Sequence, residues 1–415
     1  MLLGRLLNRL IKTGTLIVID AYGKTHIFGE SRPAVTIKLH HPSLHWKLFF
    51  NPLLYTGEAY MDGTLTVEDG SLYDFLALTG QNRVHTNPHP ATRIIAGVYR
   101  LLRRIHQFNP ASRAIKNVAH HYDLSRELYD LFLDSARQYS CAYFPTGRET
   151  LDTAQRKKLE HIAAKLLVEP KQKILDIGSG WGGLALHLAR HHDCEVTGLT
   201  LSQEQIRFAV PRAEEDGLAN KVRYHLRDYR DQTGTFDRIV SVGMFEHVGI
   251  NHFDEYFTTM AGLLKDEGVA LLHTIGRSDG PGVTNAWIRK YIFPGGYIPA
   301  LSEIVGAVER AGLVITDVEV LRLHYAETLR HWRERFMRNW NKAKLLYDER
   351  FCRMWEFYLA ASEASFRYMD NVVFQIQIAK RQDAVPLTRD YIHAYEHGES
   401  ESPGQTSRHT GARAA

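Results

Sequence analysis

A chain of 415 residues exceeds a usual single domain, so two domains are expected, and 44% hydrophobic residues can supply a real core. The charged fraction of 24% argues against wholesale disorder, and a net charge of +4 fits attraction to an anionic surface without marking a nucleic-acid binder. Three scattered cysteines, Cys141, Cys194 and Cys352, form no CxxC pair, which excludes a disulfide framework and indicates free thiols in a reducing compartment.

In the opening MLLGRLLNRLIK, Leu2, Leu3, Leu6, Leu7, Leu10 and Ile11 form one helical stripe, with Arg5, Arg9 and Lys12 opposite. The recurring charges break the apolar run a signal peptide needs, and no run approaches the roughly 20 residues that span a bilayer. Two placements stay open: docked on its own domain, or lying on anionic lipid. A cytoplasmic protein, peripheral at the inner membrane face, is the expectation. From Gly14 to about Phe75, short runs such as TLIVID and AVTIKL alternate with turn signals at Tyr22-Gly23 and Asp62-Gly63, predicting a small α+β domain over residues 1–78. Residues 79–114 turn polar, with two prolines, then basic at Arg93, Arg100, Arg103 and Arg104. They are expected to form a linker and a basic helix, either a lipid contact or a solvated face.

Residues 115–382 alternate helical patterns with the strand candidates KILDIG, EVTGLT, VRYHLRD, FDRIVSV, GVALLHTI and LVITDVEV, which argues for a parallel doubly wound sheet. The last part, 326–382, is expected to be a long helical region rich in aromatics, among them Trp332, Phe336, Trp340, Trp355 and Phe366. Residues 399–415 are small and polar, the composition of a disordered tail.

The strongest motif is Lys173-Ile-Leu-Asp-Ile-Gly-Ser-Gly-Trp-Gly-Gly183. A strand runs into Asp176, and Gly178, Gly180 and Gly182 make a tight turn around Trp181 before a helix begins. Ligands of open α/β sheets sit at such turns. An acid at the strand end suits the aminoacyl sulfonium of S-adenosylmethionine (SAM) and not an anionic pyrophosphate. The predicted fold is therefore α/β, a Rossmann-like class I SAM-dependent methyltransferase with a smaller N-terminal α+β domain. The second strand ends in Gly198-Leu-Thr-Leu-Ser-Gln-Glu-Gln205, where no acid is present to hold ribose hydroxyls. Gln205 is the substitute, while Thr200 and Ser202 also suit a helix cap and Leu201 lies between them. Asp228 and Tyr229 end the third strand, where an adenine would lie. Glu246 and His273 follow the fourth and fifth strands, so a carboxylate and an imidazole face one crevice.

HHYDLS (120–125), QYSCAYF (138–144), LDIGSGWGG, GLTLSQEQ, GMFEHVG, LLHTIG and FPGGYIP (293–299) occur in this order. Together they make residues 115–380 resemble the cyclopropane-fatty-acid synthase family, which includes the mycolic acid cyclopropane synthases. The resemblance implies transfer of the methyl carbon of SAM to a cis double bond of membrane phospholipid acyl chains, closing a cyclopropane ring, with bicarbonate as general base. Carried over by position, Cys141, Glu246, His273, the Ile275 backbone and Tyr325 would surround the bicarbonate, and Tyr139 and Ser140 would approach the SAM carboxylate. A homodimer follows from the resemblance alone. One departure is Ser362, where family members often carry cysteine; Cys352 is too far along the helix to replace it.

An aromatic, apolar pocket suits this chemistry, and Tyr122, Tyr143, Phe144 and the aromatics after residue 325 are either its lining or ordinary core. Two rivals remain: methyl transfer without ring closure, to lipid or another acceptor, and a lipid-binding protein with a dead site. Gly276-Arg-Ser-Asp-Gly280 matches a hydrolase nucleophile elbow, but Pro281-Gly282 predicts a loop instead of the required helix. His187 and His191 lack the glutamate of an HExxH motif, so no metal site is predicted.

Overall fold

The computed structural model describes residues 2–83 and 124–398. The basic stretch Arg93–Arg104, Tyr122 with most of the first motif, and the tail from residue 399 lie outside the described residues.

Residues 2–83 build a four-stranded sheet from β1 (Thr15–Ile19), β2 (Thr25–Phe28), β3 (Ala34–Leu39) and β4 (Leu65–Asp69), in the order β2-β1-β3-β4. Successive strand side chains point to opposite faces, and this alternation sends Leu16, Val18, Val35, Ile37 and Leu39 into the core. The first helix, Leu2–Leu10, docks on its own domain. Leu3 and Ile11 are buried, Arg5 and Arg9 stay exposed, and the Asn82 side-chain Oδ1 accepts from the Lys12 and Thr13 N–H groups at 2.7 and 2.8 Å. That bond explains why the boundary expected after residue 78 falls inside a helix. Leu72–Arg83 is continuous, because Asn82 in its polar last turn is buried and pinned to the start of the chain.

The second unit holds a seven-stranded sheet: β5 (Lys173–Ile177), β6 (Glu195–Thr200), β7 (Val222–Leu226), β8 (Phe236–Val242), β9 (Leu264–Arg277), β10 (Val314–Leu321) and β11 (Asn371–Ala379). Its order is β10-β11-β9-β8-β5-β6-β7, and every pairing is parallel except those of β11, which runs antiparallel to both neighbours. Here two expectations are corrected. The sheet is mixed, and 326–382 is not helical throughout. The helix Glu349–Tyr368 stops at Met369, and the Val/Ile-rich run that follows is a strand filling the slot between β9 and β10. The domain also extends past 382, since Tyr391 and Ile392 of the helix Asp390–Glu396 are buried against Ala164, Leu167 and Val269.

The two units dock through the helices Pro52–Met61 and Leu72–Arg83, which lie against Glu349–Tyr368. Tyr60 donates to Glu356 at 2.6 Å, and the Trp287 indole N–H donates to Met61 Sδ at 3.2 Å. Lys290 and Tyr291 both donate to Glu58, at 2.6 and 2.9 Å. The aromatics after residue 325 largely serve as core: Trp332, Phe336 and Trp355 are fully buried.

Candidate active site

A cavity opens at the carboxyl ends of β5, β6 and β8, where parallel strands leave their loops on one edge. The turn after β5 forms its floor. Gly178 holds φ at +85°, and a Cβ there would lie 2.7 Å from the Met244 side chain, so only glycine fits. The N–H groups of Gly178 and Ser179 donate to Leu199 O at 2.9 and 2.8 Å, tying the turn to β6. Asp176, Gly178, Gly180 and Trp181 all line the cavity. Gly182 does not; it precedes the helix Gly183–His192 in a left-handed conformation.

Asp176 is buried, and its Oδ2 has no hydrogen-bond partner. Burial pushes its carboxyl up to about 7, with Lys158 opposing the shift. An unpartnered buried acceptor at the base of a cavity needs a donor, and the ammonium of an aminoacyl ligand is one. The residues present therefore fit SAM.

On the β6 side, Thr200 donates to Gln205 Oε1 at 2.5 Å, so what Gln205 has left to offer is its amide NH2. Thr200, Leu201 and Gln205 line the cavity, whereas Ser202 caps the helix Gln203–Glu215 by accepting from Gln205 N. The capping reading thus holds for Ser202. Tyr229 also lines the cavity, packed edge-on to Tyr256 at 5.2 Å. Asp228 lines it too, but its carboxylate is engaged on both oxygens by Arg230, at 2.7 to 3.0 Å. On the opposite wall are Tyr139 and Ser140. Tyr139 stacks on Trp332 at 5.1 Å, and its hydroxyl lies 2.9 Å from that of Tyr358.

The carboxylate and imidazole expected at neighbouring strand ends are there. Glu246 sits in a short turn after β8 whose neighbours Gly243, Met244 and His247 line the cavity. Its Oε1 accepts from the Ile275 N–H at 2.6 Å, while Oε2 is buried with no partner. Burial pushes the Glu246 carboxyl up to about 7, against the pull of the Ile275 amide. The FPGGYIP motif wraps this turn, with Tyr297 N donating to Glu246 O at 2.9 Å. His273 is buried on β9 directly across from Gln375 of β11. The Gln375 Nε2 lies 3.1 Å from His273 Nδ1, and with that amide nitrogen donating, the imidazole proton sits on Nε2. Burial drives the His273 pKa well down, so the ring is neutral.

Cys141, which directly follows the wall residues Tyr139 and Ser140, and Tyr325 do not themselves line the cavity. Thr328, one turn after Tyr325 on the helix His324–Arg338, accepts from the Ala142 N–H at 3.0 Å and fixes the Cys141 loop. The Cys141 thiol is buried and its pKa is raised strongly by desolvation, so it is a thiol and not a thiolate. Tyr325 packs at 4.8 Å from the Phe366 ring and 5.8 Å from Trp332. Direct contact unites Glu246 with Ile275.

Sequence reasoning missed Lys158 and Gln138, which also line the cavity. Lys158 stands in a run of charges (Arg156, Lys157, Lys158) that resembles a solvated face, yet it is fully buried. The helical stripe Leu151, Ala154, Lys158, Ile162 and Lys165 was the signal that could have found it. Ser278 shows that the elbow motif is accidental: its strand passes into a bend, and its hydroxyl donates to Asp370 O. Cys352 is buried in the core, and Ser362 lies half-buried on the same helix.

Residues 109–376 match the mycolic acid cyclopropane synthetase family. The chain is 38% identical to the cyclopropane-fatty-acyl-phospholipid synthase of Escherichia coli K12, over 84% of this chain and 89% of that one. It is 42% identical to the tuberculostearic acid methyltransferase of Mycobacterium tuberculosis, over 62% and 64% of the two chains. The solved structure of the mycolic acid cyclopropane synthase CmaA1 with SAH and CTAB superposes with a TM-score of 0.61 at 32% identity, covering 66% of this chain and 99% of that one. With the glycine turn, the strand order and the strand-end carboxylate in place, this chain belongs to the mycolic acid cyclopropane synthetase family and is a SAM-dependent methyltransferase.

Proposed function

We propose that the protein transfers the methyl carbon of SAM to a cis double bond in the acyl chain of a membrane phospholipid and closes a cyclopropane ring, with bicarbonate as base. The observation that carries this reading is Glu246: one oxygen is fixed by the Ile275 N–H, and the other is buried and unpartnered beside the cavity. Bound SAM supplies an electrophilic methyl group, and bicarbonate supplies a base that takes up a proton without attacking carbon. Two adjacent anions repel, so a carboxyl raised to about 7 is suited to hold bicarbonate through a shared proton. The neutral His273 would orient the ion, and the Tyr325 hydroxyl and the Cys141 thiol, which here donates to the Ala142 carbonyl at 3.3 Å, would turn to it as donors. Tyr139 and its aromatic neighbours exclude water. Their ring faces can favour the positive charge that develops on the acyl chain by about 2 kcal/mol when desolvated.

Substrate in a bilayer calls for peripheral contact, since among the described residues no helix is long and apolar enough to cross a membrane. The helix Leu44–Phe50 supports such contact: Trp46, Phe50 and the nearby Leu53 are at least half exposed, with Lys47 among them. Exposed aromatics beside a cation suit a lipid headgroup boundary.

The test is to incubate the purified protein with vesicles of cis-unsaturated phospholipid, SAM and bicarbonate, and to analyse the fatty acids by mass spectrometry. Gain of one CH2 with loss of the alkene is expected. A methyl-branched or still unsaturated product would move the protein to the rival chemistry, which its similarity to a tuberculostearic acid methyltransferase makes the specific alternative.

A further inference from the structure

Lys158 lies on the helix Leu151–Leu166 with no exposed surface. Its ammonium donates to Gln138 Oε1 at 2.9 Å and to Ser140 Oγ at 2.8 Å, both neutral groups, and among the described residues no carboxylate forms an ion pair with it. The buried carboxyls of Asp134 and Asp176 favour its charge from beyond ion-pair distance, and with only neutral hydrogen-bond partners the buried cation stays open to a further anion. Its two partners stand between it and the glycine turn. Because Gln138 turns its oxygen to Lys158, its amide nitrogen faces the other way, against Gly183. A Cβ on Gly183 would lie 2.2 Å from that nitrogen, so the glycine makes the room. Because Ser140 accepts from Lys158, its own hydroxyl proton is directed elsewhere. The Gln138 amide therefore lies where the helix Gly183–His192 begins, with its unsatisfied N–H groups and positive dipole end, and Ser140 lines the same cavity. On the floor of the same cavity is the unpartnered carboxyl of Asp176. A fixed positive group on one side and an acidic group on the other match a zwitterion.

We propose that Lys158 is a positioning residue for the aminocarboxylate end of SAM: it orients and polarises Gln138 and Ser140 so that both donate to the ligand carboxylate, while Asp176 receives the ammonium. This rests on the reading that the cavity is the SAM site. Desolvation draws the lysine down to about 8, which leaves it protonated at neutral pH. The charge acts through its two neighbours and reaches the ligand from behind them.

The test compares two ligands by calorimetry: S-adenosylhomocysteine, which carries the aminocarboxylate, and 5′-methylthioadenosine, which lacks it. Lys158→Met should weaken S-adenosylhomocysteine by tenfold or more and leave methylthioadenosine unchanged, and Lys158→Arg should recover part of the loss. Ser140→Ala should cost several-fold with the same selectivity, and little further in the Lys158→Met background, because the lysine acts through that hydroxyl. Equal losses for both ligands would make Lys158 a mere brace and overturn the proposal, as would an unchanged affinity for S-adenosylhomocysteine. If Lys158→Met does not fold, Ser140→Ala and Lys158→Arg decide by the same selectivity. Failure of the unaltered protein to bind S-adenosylhomocysteine would sink the reading of the cavity itself, a distinct result.

Discussion

Two lysines, two turns apart on the helix Leu151–Leu166, are both fully buried, and their surroundings differ. Lys165 meets Glu319 directly and Asp317 at 3.8 Å, in a cluster where His161 bridges Glu319 and Glu396 at 2.7 and 2.6 Å and Arg389 reaches Asp317 at 3.3 Å. Lys158 meets only an amide and a hydroxyl. The first cluster closes its charges among protein groups and ties β10 and the C-terminal helix to the domain. The second leaves Lys158 with neutral hydrogen-bond partners only, and Asp176 Oδ2 and Glu246 Oε2 with none. A buried charge satisfied by its neighbours holds a fold; one left unsatisfied holds a place for something else.

The largest effect should come from Lys165→Met, which strands Glu319 and Asp317 in the interior. Breaking a buried pair typically costs about 3–5 kcal/mol. Urea unfolding should show such a loss, and it should exceed that of Lys158→Met by about 2 kcal/mol; equal losses would break the comparison. Glu246→Gln should keep stability and S-adenosylhomocysteine affinity but cut turnover by about 100-fold, within the usual range for removing an acid–base group. Should affinity collapse instead, Glu246 belongs to ligand binding and not to the chemistry.

The pH dependence of stability should separate the regions by sign. Burial raises Asp176 from its ordinary 3.8 to about 7, so its contribution is present below pH 3.8 and is lost as pH rises through 7. Asp176→Asn should flatten that decline by about 2–3 kcal/mol between pH 5 and pH 8. Glu319 behaves oppositely. Burial opposes its ionisation, but the His161 and Lys165 bonds prevail and hold it far below the usual glutamate range. Its contribution is present above pH 4.5 and lost as pH falls, so Glu319→Gln should flatten the acid limb. Urea midpoints at several pH values check both, and parallel shifts would refute the distinction. The smallest effect concerns the surface. Trp46→Ser should weaken vesicle cosedimentation by a few-fold with S-adenosylhomocysteine binding intact, and unchanged cosedimentation would remove this helix from the membrane contact.

Much of the cavity wall was legible because its residues lie in contiguous motifs at strand ends. Asp176 with Gly178 and Gly180, Thr200 to Gln205, and Tyr229 each occupy one loop, and the alternation of strands and helices brings those loops to one edge. Glu246 and His273 were legible for the same reason. Less was visible where a residue's meaning depends on a distant partner. Asp228 is suited to an adenine amine by position, but Arg230 engages its carboxylate. The Asn371–Ala379 run carries a strand's composition, yet it directly follows a long helix with no glycine or proline between them, and so merged into that helix in a sequence reading.

The sequence by itself determined the chemistry class: an acid and three glycines at fixed spacing specify a local turn, and a local turn needs few distant contacts to form. It also determined the alternating inward residues of β1 and β3, since period two follows from strand geometry. The tertiary structure alone decided that Lys158 is buried and its neighbour Lys157 is not, where β11 enters the sheet, and that Asn82 carries a helix past an expected boundary. Those outcomes depend on groups tens to hundreds of residues away. A buried charge or a strand slot is stable only when folding has delivered its partners, or left open the place for a ligand that supplies them.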